Sequence, residues 1–87
     1  MYAYLVEFLG TFFFLFIILY TGNALMIGLA LALAVMVGGP ISGGNFNPAV
    51  TIMMASAGKL PVGKVLPYII MQIAGGLAAL SLYKMIK

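Results

Sequence analysis

Three long apolar runs, broken by glycine, proline and asparagine rather than by charge, leave this chain few ways to fold. The first extends from about Tyr2 to Tyr20 and contains one charged residue, Glu7. The second runs from Ala24 to about Gly39, and the third from about Val65 to Met85. At about 1.5 Å per residue, an apolar helix needs about 20 residues to cross a hydrocarbon core of about 30 Å. The runs therefore predict three membrane-spanning helices. Only 6% of the 87 residues are charged, whereas small soluble domains carry roughly 25–35% charge on their surfaces. The expected fold class is an all-α, multi-pass integral membrane protein, a single unit over residues 1–87 with lipid as its surroundings.

The few charges exclude several functions. Lys59, Lys64, Lys84 and Lys87 are too dispersed for a nucleic-acid patch and read as snorkelling residues at membrane edges. There is no His or Cys, so the usual metal-ligand and nucleophile arrangements are missing. The chain is not expected to be an enzyme or to hold a cofactor or metal. The Tyr2–Tyr20 run lacks a basic leader and is followed by another apolar run, so it reads as a span rather than a signal peptide. Thr21, Gly22 and Asn23 suit a tight turn between antiparallel helices. Gly28 and Ala32 suggest a small face for close helix packing.

The informative segment is Gly38 to Lys64. Gly38-Gly39-Pro40-Ile41-Ser42-Gly43-Gly44-Asn45-Phe46 is rich in breakers and predicts irregular backbone. Asn47 then stands as a helix cap, Pro48 as the first helical residue, and Gly58 as a stop after an apolar body. Pro48 to Ala57 would span about 15 Å, half a bilayer. The pair, about residues 40–58, reads as a re-entrant loop and half-helix, tolerable at membrane depth only where protein or a wet cavity surrounds it. The plainer alternative is a buried or interfacial helix for which Asn47 is only a cap.

Ser42-Gly43-Gly44-Asn45-Phe46-Asn47-Pro48-Ala49-Val50-Thr51 resembles the first asparagine-proline-alanine loop of the aquaporin and aquaglyceroporin (major intrinsic protein) family. Glu7-Phe8-Leu9-Gly10-Thr11 is similar to that family's first-helix motif, Ile27-Gly28-Leu29-Ala30 to its second helix, and Tyr68 to Gly76 to its third. The resemblance covers nearly the whole chain, in order. It departs from the family in having Asn45 where a histidine is usual. Family members also carry two such repeats, inverted relative to each other, and this sequence resembles the N-terminal three-helix half. A second inverted copy, or a complementary chain, would complete the pore, unless the sequence is a fragment. The resemblance extends to an assembly of four pores.

The resemblance implies a passive channel for water or small neutral solutes such as glycerol or ammonia. Asn47, Pro48 and Ala49 would form the pore centre, where half-helix N-termini repel cations. Gly43, Gly44, Asn45 and Phe46 would line the path with backbone carbonyls, as part of an acceptor ladder from Gly38 to Phe46. Glu7 would brace the loops by accepting backbone N–H groups, those of a partner copy included, and Gln72 would bond across helices. For Glu7 the alternative is a carboxylate near the interface reaching out to water. A second, narrower filter falls on Ile27, Val35, Val50 and Gly44; with no arginine in the chain, that ring is aliphatic. Two other readings stay open: a small dual-topology proton-coupled transporter using Glu7, and a non-conducting regulatory subunit.

Overall fold

A computed structural model describes residues 2–87. Its helices are α1 (Tyr2–Thr21), α2 (Ala24–Ser42), α3 (Pro48–Ser56) and α4 (Val65–Ile86), the last preceded by a 3-10 turn at Val62–Lys64. Three helices are long and apolar enough to cross a membrane. The body measures 40 × 23 × 20 Å, and its long axis is close to the roughly 40–45 Å of a bilayer with headgroups.

Local chemistry sets each boundary. The Thr21 hydroxyl donates to the Ile17 carbonyl at 2.8 Å and accepts the Asn23 N–H at 3.2 Å. Asn23 Oδ1 in turn accepts the Met26 N–H at 3.0 Å and caps α2. One polar triplet thus reverses the chain. At its far end α3 closes on Gly58, which adopts φ 76° while Lys59 N–H bonds the Met54 carbonyl at 2.8 Å. A left-handed residue is needed there, and glycine supplies it without strain.

The end of α2 corrects the sequence reading. Gly38 to Ser42 was expected to be irregular, yet α2 continues through Pro40 to Ser42. Proline normally pushes the preceding residue out of helix by clashing with its Cβ, but Gly39 has none. Pro40 lies in the last turn, so the hydrogen bond it cannot donate is one of the few α2 loses. The turn's other groups are tied: Gly43 N–H bonds Gly39 O at 2.8 Å, and Tyr68 O–H donates to Ser42 O at 2.7 Å. The irregular segment shrinks to Gly43–Asn47.

Helix α1 lies between α2 and α4. It runs parallel to α4: Tyr4 meets Tyr68 edge to face at 5.8 Å, and Glu7 bonds Gln72. One turn further on, Gly75 lies against Phe8–Phe12, and beyond it Gly76 faces Leu15. A Cβ on Gly75 would stand 2.6 Å from the Phe8 carbonyl oxygen, so the crossing depends on glycine. The small face that α2 turns inward is Ala30, Ala34 and Gly38. Gly28 and Ala32 lie on the side of α2 that no helix of this chain covers, and a Cβ on Gly28 would meet nothing within 4 Å.

Burial is inverted relative to a soluble protein. Glu7, Thr11, Ser42, Asn45, Thr51 and Gln72 are buried, while Leu25, Leu29, Met36, Val37, Leu66 and Leu77 are more than half exposed. Water-soluble domains hide such aliphatics and rarely bury an acid without a partner. An apolar exterior around a polar interior is the arrangement lipid favours.

Candidate pore tip and its supports

The residues of the irregular loop are held from both sides. Glu7, on the second turn of α1, is fully buried and accepts four hydrogen bonds. Ser42 O–H and the Asn45 N–H reach its Oε2 at 2.7 and 3.1 Å. The Phe46 N–H and Gln72 Nε2 reach its Oε1, each at 2.8 Å. All four donors belong to this chain, so the loop is braced without a partner copy. A carboxylate buried at 0% exposure with four donors does not reach out to water. Desolvation makes an unpaired buried acid very costly, and hydrogen bonds to it are worth about 1.5–3 kcal/mol each.

Gln72 bridges further. Its Nε2 also donates to Thr51 Oγ1 at 2.7 Å, and Asn45 Nδ2 donates to the same hydroxyl at 3.2 Å. The amide orientation follows from charge, because the reverse would set Gln72 Oε1 against the Glu7 carboxylate. Its Oε1 is consequently left without a partner, as is the Thr11 hydroxyl one turn beyond Glu7.

Phe46 occupies the other side of the loop. It has φ 54°, a left-handed conformation that a bulky residue adopts only under constraint. The constraint is its ring, which is 2% exposed and fills the space left by Gly10 and Gly38. The ring packs in the core between α1 and α2, and Phe46 also borders the groove beside Asn47. Three carbonyls of the proposed acceptor ladder are already engaged: Gly38 O accepts the Ser42 hydroxyl, Gly39 O accepts Gly43 N–H, and Ser42 O accepts the Tyr68 hydroxyl.

With the loop fixed, Asn47 caps α3. Its backbone is extended, and its Oδ1 accepts the Ala49 N–H at 2.8 Å. The carbonyl is thus occupied locally, while the Nδ2 amide of this exposed residue makes no hydrogen bond among the described residues. Phe46, Asn47 and Pro48 line a groove of about 410 Å³ together with Thr11, Phe14 and Leu15 of α1 and Gln72, Ile73, Gly76 and Leu77 of α4. Phe14 and Gly76 lie about halfway along their helices, so the tip of α3 sits near mid-height and the helix runs back towards the end bearing Tyr4 and Tyr68. Ala49 is exposed beside the cap, and Val50 is half-buried.

Of the residues assigned to a narrower filter, Gly44 and Val35 come together: a Cβ on Gly44 would stand 3.4 Å from the Val35 Cα. Val35 is exposed, and Gly43 beside it is exposed too. Ile27 is half-buried and lies eight residues, about 12 Å of helix, further back along α2. Sequence reasoning did not single out Thr51, Ser42 or Tyr68 as site residues. Two had a signal available: Thr51 is polar within a short apolar helix, and Tyr68 precedes Gln72 by one turn on the same face.

Comparison with known proteins agrees with this architecture. The chain is 42% identical to glycerol uptake facilitator protein-like 6 of Lactiplantibacillus plantarum, over 93% of its own length and 42% of that protein's. It is 46% identical to aquaporin Z of Photorhabdus laumondii over 74% of this chain and 28% of the relative. Aquaporin Z of Bradyrhizobium diazoefficiens is 41% identical over 70% of this chain and 25% of the relative. The chain thus spans less than half the length of these curated relatives. No solved structure matches it. The family model for major intrinsic protein matches residues 1–87, and the chain belongs to that family.

Proposed function

We propose that this chain is one half of a passive channel for water or small neutral solutes, completed by a second copy in inverted orientation. The observation that carries the reading is the tip of α3. A helix N-terminus, with its partial positive charge of about half an electron, is held near mid-height by buried hydrogen bonds and ends in an exposed Asn47 that lines the groove. Two such tips meeting would repel hydronium and metal cations, and each Nδ2 would donate to a passing water and interrupt its hydrogen-bonded file. The names of the relatives, aquaporin and glycerol uptake facilitator, support a solute of this kind. Because Glu7 is engaged by four donors, it makes a poor coupling carboxylate for a proton-driven transporter.

The filter of this channel would be aliphatic, formed by Val35, Val50 and Gly44 of one copy with Ile27 of the other. Such a ring offers no fixed donor to a dehydrated water, so glycerol or ammonia should pass as well. The test is osmotic swelling of proteoliposomes holding only this chain. Water and glycerol flux that falls on Asn47→Ala, with assembly intact, supports the channel. Liposomes no more permeable than empty ones would refute a homomeric pore.

A further inference from the structure

We infer that Thr51 is the positioning residue that sets the depth of the α3 tip, an inference that rests on the channel reading above. The case begins with how little else holds α3. It packs on α4, and Thr51 is its only fully buried residue, while Ala49, Ile52, Met53 and Ser56 face outward. Within this chain so partial a covering of side chains hardly fixes the helix along its own axis. A hydrogen-bonded ring does. Gln72 Nε2 links Glu7 Oε1 to Thr51 Oγ1, Asn45 Nδ2 returns to the same hydroxyl, and the Asn45 N–H closes the circuit on Glu7 Oε2. The ring joins α1, the loop, α3 and α4, and its members are at most 5% exposed.

Thr51 lies one turn after Asn47, and its N–H bonds the Asn47 carbonyl at 2.9 Å. Whatever fixes the Thr51 hydroxyl therefore fixes the cap. Asn45 has a part in this that its position in the loop does not reveal: its amide reaches back over the tip to hold the helix that follows it. Without the hydroxyl, two buried amide donors face a methyl group, and the tip is free to slide or tilt to satisfy them.

The test compares Thr51→Val, which keeps the shape and loses the hydroxyl, with Thr51→Ser, which keeps the hydroxyl. The readout is the ratio of proton leak to water flux in proteoliposomes, each after subtraction of the empty-liposome value, which a mere loss of folded protein does not raise. T51V loses two hydrogen bonds and should raise this ratio by more than about fivefold, the population effect of one net hydrogen bond, and T51S should keep the parent value. Asn45→Ala removes one of the two donors and should shift the ratio in the same direction by less, which decides the matter if T51V does not assemble. A parent-like ratio in N45A, or in an assembled T51V, would overturn the inference. A parent chain that passes no water at all would instead overturn the channel reading.

Discussion

At the scale of single residues, the chain concentrates its polar chemistry in very few side chains, and Glu7 is the most exacting of them. It takes donors from α2, the loop and α4, so neutralising it affects three elements together. Glu7→Gln places an NH2 among groups that all donate, and at least one buried donor must go unmet. Destabilisation of at least about 2 kcal/mol is expected, read as a lower midpoint in detergent unfolding; a midpoint equal to that of the parent would mean the carboxylate is not the brace. Glu7 and Asn47 stood out in the sequence because an acid in a span and an asparagine before proline are rare and costly. Thr51 and Phe46 did not. A threonine in an apolar helix is unremarkable until its neighbours are known, and a positive φ at Phe46 depends on two glycines, one on α1 and one on α2, that no local pattern connects.

Among the elements, α1 and α4 make the most intimate contact, and glycine substitutions should separate close approach from open space. Gly75→Ala drives a methyl into the Phe8 carbonyl and the α1 backbone, both rigid, and should cost about 1–3 kcal/mol by overpacking. Gly76→Ala meets only the end of the Leu15 side chain, at 2.9 Å, which can turn aside. Gly28→Ala meets nothing and should be neutral or slightly stabilising in a helix. The order of unfolding midpoints, G28A highest and G75A lowest, checks all three; equal midpoints for G75A and G28A would refute the crossing. Helix positions were legible in the sequence because lipid demands long apolar runs and half-helices need a cap and a stop. The last turn of α2 was not, since Gly39-Pro40 reads as a break and becomes helix only because glycine removes the clash.

For the whole molecule, charge is shared evenly between the ends. Lys59 and Lys64 lie at the end where α4 begins, and Lys84 and Lys87 lie at the other, about 33 Å away along α4. Orientation in a membrane follows an excess of lysine and arginine on one side, and two against two gives almost none. The chain is expected to insert both ways round. Cysteines placed one at a time at Tyr2 and Lys87 should each be labelled from both faces of the membrane; labelling confined to one face would rule out the inverted homodimer. The sequence made the lysine count plain, but which lysines share an end depends on α3 turning back, which the loop alone left open.

If the chain pairs as proposed, the closed circuit of hydrogen bonds around Thr51 also bears on how the two copies would meet. The hydrogen bonds that hold α3 join α1, the loop, α3 and α4 of one chain, so α3 is expected to fold into place before any partner docks. Pairing is then the docking of finished surfaces rather than coupled folding, and little ordering entropy is left to oppose it. Diluting the pair in lipid should abolish flux while helical content stays constant, and reassociation should follow second-order kinetics. Each copy would then act as a prefabricated part.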